Sequence, residues 1–193
     1  WLFGASWCAS GSSLSQWFVA YVALESIIPY LLVQANHPQY YHCIMTILIF
    51  GAKGFLAQEF LTVYPDAIMS TADIADVQAV AAELDAHQPD VVLNCAGKTG
   101  RPNVDWCDEH KEETVYGNIT GPLVLLNECA KRNIYWVHVG SGCIYEGDNG
   151  GQGFSEDDAP NYTGSFYSKT KLWIDQILQE FPVLVLRLRM PFD

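Results

Sequence analysis

Tyr167 and Lys171 are four residues apart, which places both on one face of a helix. An ammonium beside a phenol lowers the phenol's pKa from its ordinary value of about 10. Such a tyrosine can give a proton to a carbonyl oxygen while hydride arrives at the carbon. Ser141 follows the apolar run Tyr135–Val139, where its hydroxyl can polarise the same carbonyl. A Tyr-x-x-x-Lys pair alone fits an ordinary amphipathic surface as well, so the chemistry needs a partner. Residues 45–57, MTILIFGAKGFLA, offer one. Ile47–Phe50 read as a buried parallel strand running into Gly51-x-x-Gly54-x-x-Ala57. Gly51 suits a tight turn, Gly54 lets the main chain approach a pyrophosphate, and Ala57 lets helix and strand pack closely. Free N–H groups and the helix dipole favour an anion there. The cofactor-binding set at this turn is Gly51, Lys53, Gly54, Phe55 and Leu56. A third group, Asn94-Cys-Ala-Gly97, ends another apolar run, and Asn94, Ala96 and Gly97 join the set.

These residues need a framework that brings strand ends together. From Met45 onward the pattern alternates strand and helix. A helix is expected from Gly54 to Val63 and a strand from Ala67 to Ser70. Asp73 or Asp76 can cap the helix VQAVAAELDAH, whose Val77, Val80, Ala81 and Leu84 recur at helical spacing. Val91–Leu93 read as a buried strand, Val104–Lys131 as one long helical stretch, and Tyr135–Val139 as a strand. A Gly- and Asp-rich loop covers Glu146–Pro160. A helix over Tyr162–Glu180 leads to a strand at Val183–Leu188. Such alternation means right-handed βαβ units, an α/β fold with a doubly wound, Rossmann-type parallel sheet. Ligands sit at the carboxyl ends of its strands, where the glycine turn, Asn94–Gly100 and Gly140–Tyr145 all fall.

The chain has 193 residues and a net charge of −12, with no run of Lys or Arg. That argues against nucleic acid or an anionic membrane as partner, but not against an anionic cofactor held by main-chain N–H groups. Six cysteines, at 8, 43, 95, 107, 129 and 143, show no CxxC and no metal-like pairing with histidine. They read as reduced thiols of a cytoplasmic protein, and no metal site is expected.

Residues 1–44 differ from the rest: they hold no Lys or Arg and one acid, Glu25. The apolar stretch 17–33 is interrupted by Glu25, Ser26 and Pro29, which makes a poor membrane span. No basic residues precede it, as a secretory signal requires. The expectation is that Met45 begins the folded domain, 45–193, and that 1–44 is an added leader.

The order GxxGxxA, NCAG, Ser141, Tyr167-x-x-x-Lys171 resembles the extended short-chain dehydrogenases/reductases. More narrowly, AGKTGRPNVDWC (96–107), SGCIYE (141–146), NYTGSFYSKTK (161–171) and LRLRMP (186–191) resemble the nucleotide-sugar 3,5-epimerase/4-reductases, dTDP-4-dehydrorhamnose reductase-like enzymes that complete UDP- or dTDP-L-rhamnose. The resemblance implies a reductase triad of Ser141, Tyr167 and Lys171. It also implies NADPH or NADH reducing a 4-keto-6-deoxy sugar nucleotide at C4, and it leaves room for a homodimer. Ser141-Gly-Cys143-Ile-Tyr145 matches in register a segment that supplies an epimerisation cysteine in the related GDP-fucose synthases. A thiol suits exchange of a carbon-bound proton beside a ketone. The other reading of Cys143 is a buried packing residue, which is the reading for Cys95, Cys107 and Cys129.

Asp73 has two readings, an adenine contact as in this family or a helix cap. Asn118 either holds a lysine-linked water chain on the substrate side or packs within a helix. Lys98, Arg101 and Asn103 are placed at the sugar-nucleotide entrance. Arg187 and Arg189 leave the last strand and can reach phosphate, an ion pair being the alternative. The end of the second strand, Met69–Ala72, carries neither an Arg for a 2′-phosphate nor an acid at its tip, so NADPH and NADH stay open. Enzymes of the resembled kind continue for about a hundred residues into a substrate domain with a second epimerisation residue, a lysine, so the chain reads as a fragment lacking most of the sugar site. Two rival readings share the fold: a nucleotide-sugar epimerase or dehydratase, and a non-catalytic regulatory subunit.

Overall fold

The computed structural model describes residues 45–189. The readings made of residues 1–44, the apolar 17–33 stretch included, lie outside the described residues. Met45–Glu146 and Pro160 onward form one compact unit. Its sheet has five parallel strands, β1 (Ile47–Phe50), β2 (Ile68–Ser70), β3 (Val91–Asn94), β4 (Tyr135–Ser141) and β5 (Leu184–Leu188), in the order β2-β1-β3-β4-β5. The register sets Phe50 beside both Ser70 and Asn94, Asn94 beside His138, and Ser141 beside Leu188. The carboxyl ends of β1, β2 and β3 are therefore level, and β4 reaches three residues beyond its pairing with Asn94.

Every residue of β1 and β3 is buried, as expected for interior strands of a parallel sheet covered on both faces. The helices are α1 (Phe55–Val63), α2 (Val77–His87), α3 (Trp106–Glu109), α4 (Lys111–Val115), α5 (Gly121–Arg132) and α6 (Phe166–Leu178). Leu48, Phe50, Val92 and Trp136 from alternate positions of the sheet meet Val80 and Leu84 of α2, Leu125 and Cys129 of α5, and Ile174 and Leu178 of α6. Full burial of each such aliphatic side chain contributes about 1.5–3 kcal/mol.

The structure differs from the sequence reading at three places and decides between the two cap residues offered for α2. The expected long helix at 104–131 is broken at His110, whose backbone (φ −120, ψ 54) is not helical, and it widens to a π-turn over Tyr116–Thr120 before α5. Pro122 has no N–H to offer the carbonyl four residues back, which accounts for the widened turn. Asp76 caps α2, accepting from Gln78 N at 2.9 Å and Ala79 N at 3.1 Å; Asp73 does not. α6 starts at Phe166 because Ser165 caps it, accepting from Ser168 N at 3.1 Å. Ser141 is the last residue of β4 rather than a loop residue after it.

Residues 147–159 belong to a separate unit. It is a run of turns, with left-handed backbone at Gly147, Asn149, Gly150, Gly151 and Gly153, and Asn149 Nδ2 donating to the Gly153 carbonyl at 2.9 Å. Among the described residues no helix is long and apolar enough to cross a membrane.

Candidate active site

The turn after β1 has two glycines with different duties. Gly51 has φ +87, and a Cβ there would lie 2.6 Å from the Ala96 nitrogen. A side chain at Gly51 is therefore excluded by the fold itself. Gly54 has ordinary extended backbone (φ −80, ψ 150) and stands at the N-cap of α1, with no side-chain cap. Its Cβ would meet only the Gly51 carbonyl oxygen, at 3.2 Å. The first turn of α1 holds no acidic side chain, so its dipole end is uncompensated by a carboxylate. Lys53 and Phe55 are exposed beside it and Leu56 is half-buried. Asp73 is exposed on the loop after β2, where its Oδ1 accepts from Ala75 N at 3.0 Å.

Asn94 closes β3 and is fully buried. Its Oδ1 accepts from Ala96 N at 3.0 Å, so its amide nitrogen faces His138 Nδ1, also at 3.0 Å. His138 must then accept at Nδ1 and carry its proton on Nε2, which finds no partner among the described residues. Burial, reinforced by Lys171, holds its pKa well below the usual histidine value. This imidazole stays neutral.

Tyr167 and Lys171 share the inner face of α6, and both are buried. Tyr167 is hydrogen-bonded with Ser141, and Ser141 Oγ also accepts from Cys143 N at 3.1 Å. The Lys171 ammonium lies 3.4 Å from the Val139 carbonyl oxygen. A Cβ on Gly97 would sit 3.4 Å from that ammonium and 3.2 Å from Asn118 Oδ1, so the bare Gly97 keeps the face beside Lys171 open. The electrostatics differ from the sequence expectation. Burial raises the Tyr167 phenol, the Ser141 hydrogen bond opposing it. Instead burial lowers Lys171 itself to about 8, with Cys143 and Cys95 pulling back upward. Burial pushes the Cys95 thiol up to about 12, which suits a packing role. Cys143 is half-buried on the 3-10 turn Gly142–Ile144, whereas Cys107 and Cys129 are fully buried.

The outer residues divide. Lys98 is exposed, 3.5 Å from Glu113 and 5.4 Å over the Trp106 ring, which stacks on His110. Arg101 is exposed on the same loop. Asn103 is exposed but its amide closes a local turn with Asp105. Asn118 is buried. Its amide accepts from Lys98 N at 2.7 Å and donates to the Lys98 carbonyl at 2.9 Å and to Thr170 Oγ1 at 3.2 Å, tying the loop to α6. Arg187 turns inward to Asp175, at 2.9 and 2.8 Å, which is the ion-pair alternative. Arg189 is exposed, its Cβ packed against Gly142 of the cysteine turn. Sequence reasoning missed three supports. Asp108 accepts from Phe166 N at 3.0 Å at the start of α6, from a position 58 residues away that no local pattern reveals. His138 looked like one more strand residue. Ser168 donates to the Cys143 carbonyl at 2.7 Å, and its only trace was the Ser165-x-x-Ser168 spacing of a helix cap.

The level strand ends of the parallel sheet define a Rossmann-type α/β fold, with the glycine turn and Ser141 at the carboxyl ends of its strands. The chain belongs to the family described as the RmlD substrate binding domain, which it matches over residues 45–192. It is 44% identical over 126 residues to the bifunctional dTDP-4-dehydrorhamnose 3,5-epimerase/dTDP-4-dehydrorhamnose reductase of Arabidopsis thaliana, covering 62% of this chain and 42% of that enzyme. The crystal structure of the L780 UDP-rhamnose synthase from Acanthamoeba polyphaga mimivirus superposes with a TM-score of 0.69 at 34% identity, covering 77% of this chain and 57% of that one. The dTDP-4-dehydrorhamnose reductase from Bacillus anthracis, solved in complex with NADP, shares the fold: TM-score 0.67, 17% identity, 78% of this chain and 55% of that one. The chain thus spans about half the length of these relatives, or less.

Proposed function

We propose that residues 45–193 form the cofactor-binding and reductase part of an NAD(P)H-dependent enzyme that reduces a 4-keto-6-deoxy nucleotide sugar at C4, with coupled 3,5-epimerisation, to the L-rhamnose nucleotide. The observation that carries this reading is the convergence of Ser141, Tyr167 and Lys171 beside a glycine turn on the same sheet edge. The relatives named as rhamnose-pathway reductases and epimerases support it. The bare Gly54 and Gly97 fit a dinucleotide: they leave main chain, rather than side chains, facing the turn and Lys171. Gly51, Lys53, Gly54, Phe55 and Leu56 would hold the pyrophosphate, Asp73 the adenosine end, and Asn94, Ala96, Gly97 and Lys171 the nicotinamide end. When bound, the nicotinamide cofactor supplies the hydride.

In this reading Tyr167 protonates the ketone oxygen and Ser141 hydrogen-bonds the same oxygen. Lys171, desolvated on the same face of α6 as Tyr167, offers a positive charge as the phenol loses its proton. Cys143, on the turn after Ser141, exchanges the protons on carbons flanking the ketone. Lys98, Arg101 and Arg189 border this edge and suit a diphosphate. The four described free thiols are compatible with a reducing, cytoplasmic setting. The deciding experiment supplies the full-length protein with a UDP- or dTDP-4-keto-6-deoxy sugar and either NADPH or NADH, and follows cofactor oxidation. Turnover that yields the rhamnose nucleotide is expected. Its absence with both cofactors and both sugars, from a folded protein, would favour a regulatory subunit.

A further inference from the structure

The turn that carries Cys143 is fastened to α6 at both ends. Ser168, 1% exposed, donates its hydroxyl to the Cys143 carbonyl oxygen at 2.7 Å. Its oxygen in turn accepts from Ser165 Oγ at 3.0 Å, and Ser165 is the residue that caps α6. The hydroxyl pair is thus built into the start of the helix that bears Tyr167. At the other end of the turn, Tyr145 Oη accepts from Arg187 Nη1 at 2.9 Å. Arg187 is held by Asp175, which is 2% exposed and lies two helical turns beyond Tyr167 on the same face of α6. Gln179 Nε2 donates to the same carboxylate at 2.7 Å.

The chemistry explains why such fastening matters. A phenol aimed at a ketone oxygen and a thiol aimed at the neighbouring carbons must keep a fixed separation, and a misplacement of about 1 Å can cost a hundredfold in rate. Tyr167 is on a helix and Cys143 on a short turn, two elements with no covalent reason to stay in step. We infer that Ser168 is a positioning residue for Cys143, its hydroxyl locking the thiol-bearing turn to the Tyr167 helix, with Arg187 and Tyr145 as the second fastening. The catalytic consequence rests on the reading of Cys143 as the proton-exchange residue; the mechanical coupling does not.

The test uses the thiols as reporters in the chain itself. Wild type, Ser168→Ala and Tyr145→Phe are treated with iodoacetamide, and each cysteine is followed by mass spectrometry. Cys107 and Cys129, both 0% exposed, report any opening of the whole fold. Alkylation of Cys143 in Ser168→Ala should accelerate about fivefold, the scale of losing one neutral hydrogen bond, while Cys107 and Cys129 stay at the wild-type rate. Tyr145→Phe should act in the same direction. An unchanged Cys143 rate in both variants, or a rise in step with Cys107 and Cys129, would overturn the inference. In the full-length enzyme, solvent exchange at the sugar carbons should fall more than reduction of an already epimerised ketone in Ser168→Ala. Equal loss of the two would count against selective positioning. Local acceleration of alkylation with no exchange even in wild type would uphold the coupling and remove Cys143 from the chemistry.

Discussion

The Lys171 ammonium lies 3.4 Å from the main-chain carbonyl oxygen of Val139, inside the protein, with 6% of the residue exposed. One long neutral acceptor does not replace the water lost, which is why its pKa falls from 10.5 to about 8. The folded value lies below the unfolded one, so between about pH 8 and 10.5 the unfolded chain binds more protons and stability rises with pH. Below about pH 8 the whole penalty is present, about 3 kcal/mol for a shift of this size. Lys171→Met should therefore be more stable than wild type at about pH 7 by roughly 2–3 kcal/mol, with the gap closing toward pH 10.5. Urea unfolding of both proteins across that range measures it. A variant less stable than wild type at neutral pH would show that the ammonium contributes net stability.

The two glycines of the first turn should fail differently. Gly51→Ala puts a methyl 2.6 Å from the Ala96 nitrogen at φ +87, so it should lower thermal stability whatever is bound. The Cβ of Gly54→Val meets only a carbonyl oxygen at 3.2 Å, in ordinary extended backbone and at an exposed position, so the domain should still fold. It should nonetheless lose NADPH or NADH binding, because the side chain stands where the pyrophosphate must approach. Calorimetric titration of the folded Gly54→Val chain decides this; wild-type affinity would move the cofactor away from the turn.

Phenol and thiol should separate by reaction. In the full-length protein Tyr167→Phe removes one proton and keeps the ring, and carbonyl reduction should drop by a factor on the order of 10²–10⁴. Cys143→Ser should slow deuterium exchange at the carbons flanking the ketone while reduction of an epimerised ketone survives. Both rates can be followed in one sample, by isotope incorporation and cofactor oxidation. Undiminished exchange in Cys143→Ser would return the thiol to a packing role.

Asp76 and Asp73, three residues apart, should also part company. Asp76→Ala removes an acceptor for two N–H groups at the start of α2 and should cost about 1 kcal/mol. Asp73→Ala leaves that cap intact, so its effect should fall on cofactor affinity. Paired denaturation and titration curves test the division, and a stability loss confined to Asp73→Ala would reverse it.

How much could be read from residues alone follows from the range of the forces involved. β1 is short and wholly apolar before Gly51, and β3 is apolar from Val91 to Leu93 between Pro89 and its closing Asn94, so local pattern specified them. The glycine turn and the four-residue spacing of Tyr167 and Lys171 are equally local. The break at His110 was hidden because residues 104–116 contain no Gly or Pro, whereas Gly121-Pro122 is the local trace of the widened turn. The electrostatics of Tyr167 and Lys171 were misjudged because a linear pattern conveys proximity but not desolvation, which raises the phenol and lowers the lysine. Ser168, Asp108 and His138 act on partners 25, 58 and 44 residues away, and such ties exist only once the sheet has formed.

The close approach of Gly51 to Ala96 has a consequence for anyone wishing to alter this domain. The loops leaving β1 and β3 touch main chain to main chain, with no side chain between them to absorb a change. They form one inheritable patch. A transplanted first turn, taken from a homologue with another cofactor preference, would have to bring its own version of residues 94–97 with it.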